Sequence, residues 1–199
     1  MITVSDLSLS YQGAPLFSHV DLQFVRGNCY GIIGANGAGK STFLKILSGE
    51  LESTSGEVSI LPNVRMSILK QDQNAYDAYN VMDTVIMVNK KLYDIGHEMN
   101  ALYEKEDFTD EDGLRAADLQ AEYAEMGGYE AESDASRILQ GLGIGTQLHY
   151  NDMATLDARL KVKVLLAQAL FGNPDLLMMD EPTNNLDIEI GRASCRERV

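Results

Sequence analysis

Cysteine is nearly absent: Cys29 and Cys195 are the only two in 199 residues. That is too few to staple a small secreted fold, so a disulfide framework is excluded and a reducing, cytoplasmic setting is expected. Long apolar runs are missing as well. No stretch approaches the roughly 18 residues that a membrane-spanning helix needs, and Met1-Ile2-Thr3-Val4 lacks the basic start of a secretory signal. Basic charge is scarce, with 16 Lys and Arg against 30 Asp and Glu, a net of −14. A surface of that sign repels phosphate, which argues against a broad nucleic-acid grip by this chain alone. The remaining composition, 45 % hydrophobic and 23 % charged, is ordinary globular usage and rules out a disordered or collagen-like chain. The length suits one domain with an insertion.

The acid is concentrated. Residues 94–134 hold fourteen Asp and Glu against Lys105 and Arg115, a net of −12, and the rest of the chain is near neutral. The first sixty residues read as strands and turns. Ile2, Val4, Leu7 and Leu9 suggest an opening strand, and Val20, Leu22 and Phe24 alternate with Asp21 and Gln23. The apolar run Cys29-Tyr30-Gly31-Ile32-Ile33 is expected to be a fully buried strand, with Cys29 a packing residue. A helix should follow from Gly39 to Leu47, stopped by Ser48-Gly49, and Val58, Ile60, Val64 and Ile68 suggest two further strands.

The middle changes character. Val81, Val85, Val88, Leu92, Ile95, Met99 and Leu102 are spaced 4, 3, 4, 3, 4, 3, which predicts one long helix with a heptad seam. Thr109 with Asp112 three residues on predicts the start of a second helix, ending at Gly127-Gly128. The pair reads as an antiparallel hairpin, and its acid density favours one that projects into solvent over an ordinary pair of core helices. Helices near 130–140 and 158–171 and a strand over 176–179 complete the pattern.

Gly34-Ala35-Asn36-Gly37-Ala38-Gly39-Lys40-Ser41 fits the pattern G-x-x-x-x-G-K-[ST]. Glycines let successive N–H groups curl toward one phosphate, and the helix that follows adds its positive N-terminal end. Lys40 supplies a point charge for the β- and γ-phosphates, and the Ser41 hydroxyl is a ligand for Mg²⁺. A chance match is expected in under about one per cent of chains this long, and here an apolar strand is expected before the loop and a helix after it. The apolar run 176–179 ends in Asp180-Glu181. Beside a phosphate loop, Asp180 reads as the residue that holds Mg²⁺ and Glu181 as the acceptor of a proton from attacking water.

These residues resemble the ATP-binding cassette (ABC) family over nearly the whole chain to Asp187. Asp180-Glu181-Pro182-Thr183-Asn184-Asn185-Leu186-Asp187 looks like the family's Walker B and D-loop. The resemblance implies that Tyr11 stacks on adenine and that Gln71 is the Q-loop glutamine touching Mg²⁺ and water. It also implies that Gly34, Asn36, Gly37, Ala38, Gly39, Lys40, Ser41 and Thr42 hold the nucleotide. The implied fold is α/β: a P-loop core sheet, an antiparallel β subdomain and a helical subdomain carrying a helical-hairpin arm. Residues 1–188 would form the nucleotide-binding domain, incomplete at its C-terminus, with the hairpin inserted at about 81–128. Tyr30 to Lys45, Leu165-Leu166-Ala167-Gln168-Ala169-Leu170-Phe171 and Asn173-Pro174-Asp175 resemble the ABC-F class. That class consists of soluble two-cassette proteins that act on ribosomes as translation factors.

Two features depart from the family. Its signature, Leu-Ser-Gly-Gly-Gln, aligns with Leu156-Asp157-Ala158-Arg159-Leu160. Asp157 is a good N-cap but repels phosphate, and Arg159 offers a compensating charge. The family's switch histidine lies on a strand beyond Asp187, whereas Ile190 to Val199 resemble a translated sequencing adaptor. Residues 189–199 are therefore expected to be a non-native tail. The resemblance implies MgATP binding, with hydrolysis in the intact protein working through a second cassette and the ribosome. Two alternatives stand beside it: the ATPase subunit of an ABC membrane transporter, and an ATP-gated interaction module with little hydrolysis. The fragment alone is expected to turn over almost no ATP.

Overall fold

Ile2, Val4, Leu7 and Leu9 lie on one buried face of strand β1, Ile2–Tyr11. Strict alternation would put Leu7 on the opposite face from Val4. The register shifts between these two residues, and Asp6 there takes a left-handed φ of 48°. The bulge returns both leucines to the core side. A computed structural model describes residues 1–11, 13–69 and 72–180. They divide into two units, Met1–Gln71 with Asn173–Val199, and Asp72–Gly172.

In the first unit, β2 (Ala14–Phe24) and β3 (Ser55–Ile60) flank β1 in an antiparallel sheet of order β2-β1-β3. Gly56 opposes the β1 bulge with φ 84°. A Cβ there would lie 2.3 Å from the Asp6 carbonyl oxygen, so only glycine fits. Helix α1 (Lys40–Leu47) buries Phe43, Ile46 and Leu47 in one cluster with β1 and Met178. A second sheet pairs β4 (Met66–Leu69) parallel to β5 (Leu176–Met179), from Met66 opposite Leu176 to Leu69 opposite Met179. Asp175 fastens its entrance: its carboxylate accepts from the Arg65 N–H at 3.1 Å and from Arg26 Nη2 at 2.8 Å.

The expected strand at Cys29–Ile33 does not form. Among the described residues β4 and β5 pair only with each other, and no ladder reaches 29–33. Without neighbours an apolar run cannot be buried on both faces, and Ile33 is 97 % exposed. Cys29 is exposed too, so it is not the buried packing residue expected of it. Local bonds fix the segment instead. The Tyr30 hydroxyl accepts from the Val25 N–H at 3.0 Å and from Asn28 Nδ2 at 3.3 Å, while its ring meets Phe24 edge-on.

The second unit is helical: α2 (Val81–Ile86), α3 (Lys90–Tyr103), α4 (Asp110–Glu125), α5 (Gly128–Gly141) and α6 (Ala158–Leu170). Val81, Val85, Leu139, Ile144, Met153 and Val164 form its core. The seam expected as one helix is broken at 87–89. Asn80 caps α2, and the Asn89 side chain accepts the Leu92 N–H to start α3 afresh, which leaves Val88 exposed. Helices α3 and α4 run antiparallel, paired through Lys91–Glu122, Glu98–Arg115 and Lys105–Asp112. Thr109 and Asp112 make the reciprocal capping box. No helix among the described residues is long and apolar enough to cross a membrane.

Candidate nucleotide site

The loop Gly34–Ser41 curls at two glycines, Gly37 with φ 82° and Gly39 with φ 88°. Side-chained residues resist that conformation. Ala38 N–H donates to the Ala35 carbonyl at 3.1 Å, closing the turn. Gly39 is the N-cap of α1 and offers no side chain to its first-turn N–H groups. Those donors remain available, and the helix end makes them suited to an anion.

Lys40 folds back across the loop. Its ammonium donates to the carbonyl oxygens of Gly34 and Ala35, each at 2.9 Å. An ammonium has three protons, so one remains for a phosphate oxygen. Ser41, one residue on, is exposed. Asn36, Gly37 and Ala38 lie open on the loop, and Thr42 is half-buried behind it. The buried side chains of Phe43 and Ile46 anchor the helix beneath.

Asp180 follows β5 directly and is half-buried. Gln71 follows β4 by two positions, and both Gln71 and Glu181 lie outside the described residues. Tyr11 ends β1 with 53 % of its surface exposed, which leaves its ring open to a planar ligand. The oxygen donors Ser41 and Asp180 suit Mg²⁺, which typically takes one or two carboxylates plus phosphate and water. Among the described residues no cluster of three or more His, Cys, Asp or Glu could cage a metal by itself.

The signature stretch lies in the second unit. Leu156 is buried, and Asp157 caps α6 by accepting the Leu160 N–H at 2.8 Å. The expected cap is therefore made, while Ala158 and Arg159 are exposed. Sequence reasoning named Asp175 only within the ABC-F resemblance and missed its bonds to Arg26 and Arg65; it also missed Lys161, a charge within the apolar run of α6.

A family model described as ABC transporter matches residues 17–184. The chain is 54 % identical over 189 residues to an ABC transporter ATP-binding protein of Bacillus subtilis, YkpA. That match covers 95 % of the chain and 35 % of YkpA. It is 31 % identical to ABC transporter F family member 4 of Arabidopsis thaliana, covering 94 % of the chain and 26 % of the relative. The chain thus spans about a third of the length of such relatives. Among solved structures, the dimeric ATP-binding cassette MJ0796 bound to ADP and Pi matches with a TM-score of 0.66. Its identity is 19 %, over 96 % of the chain and 78 % of that structure.

Proposed function

Because this chain belongs to the ABC transporter family, we propose that its phosphate loop binds MgATP and that the intact protein hydrolyses it. The observation that carries this is the Lys40 ammonium, held by Gly34 and Ala35 beside an uncapped helix end. In this reading loop N–H groups and Lys40 bind the phosphates and Tyr11 faces the adenine. Ser41, Asp180 and Gln71 hold the metal. When bound, Mg²⁺ neutralises phosphate charge. Glu181 takes the proton of the attacking water.

The ABC-F reading adds a second cassette, the ribosome and a cytoplasmic site of action. It is supported by the similarity to a relative named as an F family member and by the acidic α3–α4 hairpin. That hairpin would meet basic protein surface rather than nucleic acid. The family description itself favours the alternative, an ATPase subunit of a membrane transporter.

Glu181→Gln in the intact protein separates these readings. Loss of a general base slows turnover roughly 10²–10⁴-fold and leaves ATP bound, whereas Asp180→Asn weakens Mg²⁺-dependent binding. Trapped protein that sediments with ribosomes supports the translation-factor reading. Trapped protein that sediments free of them removes it and leaves the ATPase reading intact. Turnover at the unmodified rate removes Glu181 from catalysis.

A further inference from the structure

An asparagine followed by glycine is chemically exposed, because glycine has no side chain to hinder attack by its own nitrogen on the Asn amide. Asn36-Gly37 is the only such pair in the 199 residues, and it stands inside the phosphate loop. Asp112-Gly113 is its one aspartyl counterpart. There the helix start locks both groups. Gly113 N–H donates to the Thr109 carbonyl at 3.0 Å, and the Asp112 carboxylate accepts from the Thr109 N–H at 3.0 Å and the Thr109 hydroxyl at 2.8 Å.

Nothing comparable holds Asn36-Gly37. The bond from Ala38 N–H to the Ala35 carbonyl makes them the two central residues of a turn, and φ 82° at Gly37 is what a type II turn asks of its third residue. That bond uses neither the Gly37 N–H nor the Asn36 amide, and among the described residues no partner bonds either group. Both residues are exposed. Nothing lies within 4 Å of where a Cβ would stand on Gly37, so water has free approach. One turn bond is all that must open for the Asn36 side chain to reach the Gly37 nitrogen. The positive end of α1 that follows favours loss of the Gly37 amide proton.

We propose that Asn36-Gly37 is a site of spontaneous deamidation that retires the phosphate loop when no nucleotide holds it. The Gly37 nitrogen bonds to Asn36 Cγ, the bond from Cγ to its NH₂ breaks, and ammonia leaves with the proton from Gly37. Water then adds to one of the two carbonyls of the succinimide, the ring C–N bond at that carbonyl breaks, and the nitrogen regains a proton. Opening at Cγ gives aspartate. Opening at the main-chain carbonyl gives isoaspartate, which routes the backbone through Cβ and lengthens the loop. No electrons are exchanged, and water is the only co-reactant. Either product puts a carboxylate into the loop that Lys40 closes, in competition with phosphate for the ammonium. A phosphate held by the loop N–H groups keeps the turn shut, so occupancy protects the pair. The consequence for ATP rests on the reading that Gly34–Thr42 binds it, whereas the chemistry at Asn36 does not.

Ageing the full chain in mildly alkaline buffer, with and without MgATP, tests this. Tryptic mapping of residues 27–40 reads the modification, and calorimetry reads MgATP binding. Deamidation adds about 1 Da. Fragment ions should place the gain on Asn36, at a rate about tenfold or more above that of any other asparagine. Asp112 should yield no isoaspartate. Saturating MgATP should slow the gain about fivefold or more. Asn36→Gln, whose longer side chain cannot close the five-membered ring, should gain no mass at that position. Asn36→Asp, which carries the product carboxylate from the start, should bind MgATP about tenfold or more weakly than the unmodified chain. A gain at Asn36 no faster than at Asn28 overturns the site. An equal rate while MgATP is bound overturns the protection, and an unchanged affinity of Asn36→Asp overturns the loss of function. A fresh chain that gives no heat with MgATP overturns the ATP reading, and the mass gain at Asn36 then decides the chemical site by itself.

Discussion

The ammonium of Lys40 lies 2.9 Å from the carbonyl oxygen of Gly34, so the lysine near the end of the phosphate loop is tied to the residue that begins it. The tie sets the loop's curvature before any ligand arrives, and the lysine has a proton left for that ligand. Lys40→Met removes both contributions. Hydrogen bonds to a charged group are worth about 1.5–3 kcal/mol, so MgATP affinity should fall about tenfold or more. Titration calorimetry measures it, and an unchanged affinity would exclude Lys40 from the site.

Gly39 carries the loop into α1 at φ 88°, and an added Cβ would lie 2.8 Å from a Leu16 methyl. The methyl can move, but the backbone conformation cannot be relieved. Gly39→Ala should therefore destabilise the first unit by about 1–2 kcal/mol. Gly31 has open space and no left-handed φ, so Gly31→Ala is the control. Urea unfolding followed by tyrosine fluorescence compares the two, and equal midpoints would contradict the strain argument.

The Asp112 carboxyl is held down to about 2, first by the Lys105 ammonium and then by the backbone N–H and hydroxyl of Thr109. Its ordinary value is 3.8. A depressed folded-state value means that the unfolded chain takes up the proton first as pH falls. The contribution of this cap is thus complete above about pH 4 and disappears as pH drops through about 2. Carbon NMR of the Asp112 carboxyl should show the low midpoint. Lys105→Met should raise it, and a midpoint unmoved by that change would count against the ion pair as the main cause.

Asp175 joins three parts of the first unit, since its carboxylate serves Arg26 and Arg65 while its own N–H donates to the Arg65 carbonyl at 2.8 Å. Asp175→Ala leaves the Arg65 N–H without its acceptor and should cost about 1–2 kcal/mol. Arg26→Met should cost less, at most about 1 kcal/mol, because the Arg26 side chain is 70 % exposed. Chemical denaturation of both variants checks the order, which reverses if the ion pair outweighs the backbone bond.

Where local chemistry decides the conformation, the sequence was readable. Ser48-Gly49 stops α1, Thr109 and Asp112 start α4, and the apolar run Leu176–Met179 is β5. The curl at 34–41 was legible because Gly37, Gly39 and Lys40 act within eight consecutive residues. Reading failed where the deciding partner lies elsewhere. Cys29–Ile33 has the composition of a buried strand but finds no ladder among the described residues, and Tyr30 turns back to Val25 and Asn28 instead. The heptad spacing through Val88 was real as a pattern, yet the Asn89 cap overrode it. The Asp6 bulge and the pairing of Lys161 with Asp77 depend on residues many positions away, and no local spacing announces them.

Strands β4 and β5 pair with each other, yet Met66 meets Leu176 more than a hundred positions later. Every residue of the helical unit is made between them. Joining the ends of so long a flexible segment costs about 4 kcal/mol in chain entropy. That cost shrinks once the intervening stretch has become compact. On a growing chain the helical segments are also synthesised before Leu176. The middle of the polypeptide is therefore expected to fold before the parallel sheet. A nascent chain halted before Leu176 would display β4 without its partner, an open edge exposed to whatever strand comes near.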